Sequence, residues 1–434
     1  MGRSRSRNPD RSHGARAGNS GIQQESETSP ALKESSRNPR RVYALVAVAG
    51  AIVVAVVVSR LALPRGPRPV LAPSSEAAGG CEENRTYAGC LEKAKAGDPL
   101  AQFRLAEAYD GGEGVPEDDA AAAEWYRRAA EQGHRDAQFQ LATLYDAGEG
   151  VTRDAAEAAQ WYRRAADQGL ALAQHNLALM YLEGRGGLAR DTSAAVRWFT
   201  LAAEQGLAAA QYNLGVAYET GEGGVREDDA EAARWYRRAA DGGHASAQLR
   251  LGLMYARGEG VAQDLAEAVR LNRLAADQGL ASAQYALGLR YATGDGVPKD
   301  SAEAVRWYRL AAAQDHAEAQ NDLAVIYDAG DGVAEDDAEA LLWYRRAAAG
   351  GNPSAQYNLG LMYANGEGVR RDRARAYLWL SVAAAESGGT TGGEALERVA
   401  GSLSPAARAA ADRLVATCRQ TAFKDCGEPA STVH

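Results

Sequence analysis

The chain has 434 residues, a formal charge of −9 and 46% hydrophobic residues. That composition excludes a wholly disordered chain, and the length would suit several domains. The charge is uneven: residues 1–68 hold 12 Lys/Arg and 4 Asp/Glu, net +8, so the remainder carries −17. An acidic remainder argues against nucleic acid as partner, because basic surface supplies most of that affinity.

Residues 1–41 are rich in Arg, Ser, Asn and Gly and read as a disordered basic tail. Between Arg41 and Arg60 runs an uncharged stretch of 18 residues, mostly Val and Ala. As a helix it would measure about 27 Å, enough for a bilayer core, and Leu61–Leu63 extend it. The expected element is a transmembrane signal anchor over 42–63. Arg37, Arg40 and Arg41 precede it, so the positive-inside rule puts the N-terminus in the cytoplasm and the rest across the membrane. In a bacterium that means inner membrane and periplasm. A cleaved signal peptide is the rival reading, but the basic region is long and no small-x-small site follows closely. Residues 64–80, with Pro64, Pro67, Pro69 and Pro73, read as a semi-rigid linker.

From there one phrase recurs. It starts with an Ala-Gln pair at Ala101, Ala137, Ala173, Ala210, Ala247, Ala283, Ala319 and Ala355, in steps of 36 or 37 residues. A fixed period of this length is the mark of stacked helix pairs. Leu and Tyr follow each Ala by four and eight residues, as in Leu141 and Tyr145, and so form a stripe on a first helix. Gly-x-Gly, as in Gly148–Gly150, ends that helix. An Asp in every copy (Asp118, Asp154, Asp191, Asp228, Asp264, Asp300, Asp336, Asp372) is suited to cap a second helix. That helix carries Trp-Tyr-Arg-Arg-Ala-Ala in its consensus and closes on Gly. Leu271-Asn272 replaces Trp-Tyr in the fifth copy, and Asp315 replaces the closing Gly in the sixth. Gly187 and Gly224 are extra residues in the turns of copies three and four, expected to bulge while the stacking continues.

The pattern A-Q-x-x-L-[GA]-x-x-Y-x-x-G-x-G-V-x-x-D-x-x-x-A-x-x-W-Y-x-x-A-A-x-Q-G resembles the Sel-one-like repeat family, related to tetratricopeptide repeats. The resemblance implies an all-α fold, a right-handed α-solenoid of about eight helix-turn-helix repeats over 98–388. It also implies a scaffold or adaptor that binds protein or peptide partners. In the related tetratricopeptide architecture the first helices line the concave side.

The ends need caps. Residues 81–97 fall where a second helix would precede the first copy, with Cys90 in register with Tyr126. Over 389–426, Glu394–Ala400 reads as a short helix. Ser404-Pro405 opens another, running to about Arg419, with Leu414 and Val415 expected to cover the last repeat. Residues 427–434 read as a disordered tail. The four cysteines, Cys81, Cys90, Cys418 and Cys426, flank the array in two pairs. Local bridges would staple both ends, although four cysteines allow three pairings and the sequence does not choose. Their spacings suit zinc poorly.

A search for chemistry finds little. His134, His244 and His316 share one inter-repeat turn position, which Leu170, Leu207 and Leu280 fill elsewhere, so they read as packing. Gly-x-Gly-Val lacks the Lys-Ser/Thr of a phosphate loop. The Asp-Asp pairs read as caps rather than calcium ligands. No catalytic residue, metal ligand, cofactor or small-molecule substrate is expected. A hydrolase resembling the cysteine-rich penicillin-interacting members of the family is the rival, but those carry a cysteine pair in each repeat. A non-binding spacer is the third reading. What varies is the pair of positions after each Ala-Gln, several combining an aromatic ring with Asn. Asn can pair with a peptide backbone and aromatic rings bury area at low entropy cost. The candidate partner groove is therefore His175, Asn176, Tyr212, Asn213, Tyr285, Asn321, Tyr357 and Asn358.

Overall fold

The structure, a computed structural model, describes residues 87–386, 392–423 and 426. Helix α1 (Tyr87–Lys95) leads into eight helix pairs. The first four are α2 (Pro99–Gly111) with α3 (Asp119–Glu131), α4 (Arg135–Ala147) with α5 (Ala155–Asp167), α6 (Ala171–Glu183) with α7 (Thr192–Glu204), and α8 (Ala208–Thr220) with α9 (Asp229–Asp241). The next four are α10 (Ala245–Arg257) with α11 (Leu265–Asp277), α12 (Ala281–Thr293) with α13 (Ser301–Ala312), α14 (Ala317–Ala329) with α15 (Asp337–Ala349), and α16 (Pro353–Asn365) with α17 (Arg373–Glu386). Helices α18 (Gly393–Gly401) and α19 (Pro405–Gln420) follow. Each helix packs on the next, so the array is an all-α solenoid, and no strand occurs among the described residues.

The second-helix caps are as the spacing predicts. Asp154 Oδ1 accepts from the amides of Ala156 (2.9 Å) and Glu157 (3.1 Å), and the other seven aspartates cap in the same way. The two glycines of each turn divide the work. Gly148 adopts φ 80° and donates to the Leu144 carbonyl at 2.7 Å, closing the first helix. Gly150 instead lies against the backbone of Asp119 in the preceding repeat, where a Cβ would fall on the carbonyl oxygen. From the second copy on, the second glycine is thus an inter-repeat contact, with no space for a side chain; Gly114 of the first copy meets nothing. In the longer third copy Gly186 takes this place against Ala155, and Gly187 absorbs the extra residue before α7. Asp315, at φ 60°, adopts the left-handed conformation that its sister positions give to glycine.

The core repeats too. Tyr126, Tyr162, Phe199, Tyr236, Tyr308 and Tyr344 of the second helices are buried. Each reaches the small residue of its own first helix. A Cβ on Gly215 would stand 2.7 Å from the Tyr236 ring, and one on Gly288 the same distance from Tyr308. The preceding Trp lies farther out, and Arg128, Arg164, Arg238 and Arg346 cover the rings of Trp125, Trp161, Trp235 and Trp343.

At the N-terminal end α1 occupies a second-helix position, since Gln102 bonds Ala94 as Gln138 bonds Ala130. At the other end α19 packs on α17 with Ala411 and Cys418 buried and Val415 partly so. Leu414, expected to cover the last repeat, is 42% exposed: the covering face runs 411, 415, 418, and 414 lies off it. Cys418 and Cys426 form a disulfide. Cys90 is not free either, while its expected partner Cys81 lies outside the described residues. The tail 1–41, the anchor 42–63, the linker 64–80 and the tail 427–434 also lie outside them. Among the described residues no helix is long and apolar enough to cross a membrane.

Candidate functional site

The first helices carry the variable positions on a frame that polar bonds hold rigid. In every copy the Gln of the Ala-Gln pair is buried, and its Nε2 donates to a carbonyl in the last turn of the preceding second helix at 3.0–3.3 Å. Five of these glutamines also accept, at 2.7–2.8 Å, from a Gln that closes their own second helix: Gln132, Gln168, Gln205, Gln278 and Gln314. In copies four and seven Gly242 and Gly350 stand there instead. A second ladder joins neighbouring repeats. Arg127, Arg163, Arg237, Arg273, Arg309 and Arg345 donate to the hydroxyls of Tyr145, Tyr181, Tyr255, Tyr291, Tyr327 and Tyr363. In the sequence the Arg residues suit the dipole of the second helix, and neither they nor the Gln residues are legible there as bonds between helices. Their signal is recurrence of a polar side chain at an interior register.

Against this frame the two variable positions part company. The first packs. His175 lies half-buried with its ring 5.4 Å from Phe199, Tyr212 lies 5.7 Å from Tyr236, and Tyr285 lies 5.6 Å from Tyr308. Asn321 is only 4% exposed, and Tyr357 packs against the C-terminal cluster beside Gly392. The second position reaches back to the preceding repeat. Asn176 shares the hydroxyl of Tyr162, which also meets Thr143 Oγ1 at 3.3 Å. Arg250 pairs with Glu219, which accepts from the Tyr236 hydroxyl. Asp322 accepts from the Tyr285 hydroxyl at 3.0 Å and from Asn321 Nδ2 at 3.1 Å. Asn213 and Asn358 are half-buried at the same register. The candidates thus lie in a row, one or two per repeat, and do not converge on one point.

Burial sets the electrostatics of this face. It pushes the Asp322 carboxyl up, against the bonds from Asn321 and Tyr285. It raises Tyr236, with the Glu219 contact adding to the effect, and raises Tyr285 and Tyr308. Burial pushes His175 down to about 4. Among the described residues no His, Cys, Asp and Glu gather in a group that could hold a metal ion. The arrangement presents hydrogen-bonding groups and ring edges along a surface.

His134, His244 and His316 do more than pack. Each caps a first helix, its Nδ1 accepting the amide of Ala137, Ala247 or Ala319. The leucines at this turn make no side-chain cap.

The Sel1 repeat family model matches residues 99–134, 135–170, 171–207, 208–244, 245–280, 281–316, 317–352 and 353–387. The chain belongs to the Sel1 repeat family. A solved Sel1 repeat protein from Oxalobacter formigenes is 34% identical, covering 78% of this chain and 98% of its own, at a TM-score of 0.56. A protective antigen with an SLR fold, present in uropathogenic Escherichia coli strains, is 28% identical over 81% of this chain and 99% of its own, at a TM-score of 0.41. No curated protein matches. Sel1 repeat proteins generally mediate protein–protein interactions and are mostly non-enzymatic.

Proposed function

We propose that the chain is a membrane-anchored scaffold that holds protein or peptide partners on the face formed by its first helices, with the repeats outside the cytoplasm. The observation that carries the reading is the division of labour along each first helix. Ala, Gln, Leu and the small residue after Leu are buried in every copy, while the positions that differ between copies are half-buried in most of them, Phe103, Phe139, Gln140 and Asn321 being buried. A fixed frame with a varied edge suits recognition of an extended segment, one side chain per repeat. The anchor rests on the uncharged run between Arg41 and Arg60, and the outward orientation on the arginines before it. A disulfide between Cys418 and Cys426 fits an oxidising compartment.

Photo-crosslinking in intact cells tests the binding face. A crosslinker at Asn213 or Asn358 is expected to trap a discrete partner, and one at the outward Arg234 is not. Equal capture from both faces would refute the groove, and no capture from either would favour a spacer. Protease added to intact spheroplasts should digest the repeats; protection until lysis would reverse the orientation.

A further inference from the structure

The joints between repeats are capped by three different chemistries. In chain order the residue before each first helix is Asp98, His134, Leu170, Leu207, His244, Leu280, His316 and Asn352. Asp98 accepts from the Leu100 amide at 3.0 Å and Asn352 from the Ala355 amide at 2.9 Å. The three leucines accept nothing. The three histidines accept through Nδ1, at 3.2 Å from Ala137 and at 3.3 Å from Ala247 and from Ala319. Each imidazole also stacks on a ring from the first helix of the preceding repeat: His134 on Phe103 at 4.6 Å, His244 on Tyr212 and His316 on Tyr285, both at 4.8 Å. One side chain therefore caps a helix and clamps two repeats.

Only a neutral imidazole with its proton on Nε2 can accept at Nδ1. Protonation turns that acceptor into a donor aimed at an N–H and at the positive end of a helix dipole. We propose that His134, His244 and His316 make the joints between repeats one and two, four and five, and six and seven releasable by mild acid, while the Asn352 joint stays closed. Burial lowers all three, so they are neutral at pH 7 and titrate below the ordinary histidine value.

Their surroundings differ. His134 feels the carboxylates of Asp136 and Asp98, which favour its cation, and the guanidinium groups of Arg104 and Arg135, which oppose it. His316 has Glu318 Oε2 at 3.3 Å from Nδ1, with Asp322 beyond the hydroxyl of its stacking partner Tyr285. An ion pair with Glu318 would offset part of that lost cap. His244 stacks on Tyr212, is lowered by burial alone, and among the described residues has no ion pair to offset the lost cap. The joint between repeats four and five should therefore open furthest. The proposal does not depend on what the solenoid binds.

Hydrogen exchange of the full-length chain, read by mass spectrometry at about pH 7.5 and about pH 5 and corrected for the intrinsic rate, tests it. The first turns of α4, α10 and α14 should lose protection about fivefold on acidification, the shift expected from a cap worth about 1 kcal/mol. The first turns of α6, α8 and α12, which follow a Leu that makes no side-chain cap, and of α16, capped by Asn352, should not change. This comparison is internal to the unsubstituted chain and needs no variant. His244→Asn copies the chemistry of Asn352 and should keep α10 protected at both values. His244→Leu should leave α10 loose at both. Uniform loss across all eight first turns, no loss at the three histidine joints, or an unchanged acid response in His244→Asn would each overturn the proposal.

Discussion

His175 occupies the register that Phe103, Phe139, Tyr212 and Tyr285 fill in other repeats, and its Nδ1 is buried without a partner. The fold holds its pKa at about 4, below the unfolded value, because burial penalises the cation. The unfolded chain therefore binds the extra proton first. Stability from this site is intact above about pH 6.5 and is lost as pH falls through about 4. His175→Phe should flatten that part of the acid-unfolding curve, and denaturant midpoints at several pH values would show it. Asn272 is a second residue out of keeping with its place. It is fully buried where six other copies have an aromatic ring, and neither amide atom has a partner. Gly252 beside it offers the seat that Gly215 gives Tyr236 and Gly288 gives Tyr308. Asn272→Tyr should stabilise the fifth repeat by about 1–3 kcal/mol, by removing an unsatisfied buried amide. An unchanged or lower melting temperature would mean the ring does not fit.

At the scale of the helix, the Gln clip is the element most open to test. Gln248 joins three helices: it donates to the Ala240 carbonyl of α9 and accepts from Gln278 at the end of α11. Gln248→Ala should cost about 1 kcal/mol, because the Ala240 carbonyl and the Gln278 amide each lose one bond and keep another, to Gly243 and Leu274. The loss should appear as faster exchange confined to α9–α11, since a solenoid transmits stability between neighbours only. Helix boundaries, aspartate caps and the glycine at each first-helix end were legible in the sequence because they are local. They depend on residues one to four positions apart. The clip was not legible as a bond, since its two ends lie in different helices and Gln carries no apolar periodicity. Leu414 departs from expectation for a related reason: apolar character on an end helix points to the core, but Ala411, Val415 and Cys418 define the face that packs.

At the scale of the molecule, each repeat borrows its neighbour's surface and the ends have to be closed. At the C-terminal end Tyr377, Leu378, Trp379 and Leu380 are buried partly by α18 and α19, which the bond between Cys418 and Cys426 ties to the residues after them. Cys426→Ser should destabilise that cap by about 2–3 kcal/mol, the loop-closure entropy of so short a loop. Exchange should rise in Pro405–Gln420 and not in α2–α9. A uniform rise would mean that the array unfolds as one body rather than repeat by repeat.

The sequence alone determined the number of repeats, their all-helical pairing, their caps and the family, because those follow from the period and from contacts within a few residues. The tertiary structure alone decided which polar side chains bridge repeats, that the second turn glycine is a packing contact from the second copy on, and that three turn histidines are caps stacked on the preceding repeat. These depend on atoms in different helices, 8, 18 or 30 residues apart for the Gln and Arg bonds, that stacking brings within a few ångström, a proximity no local pattern encodes.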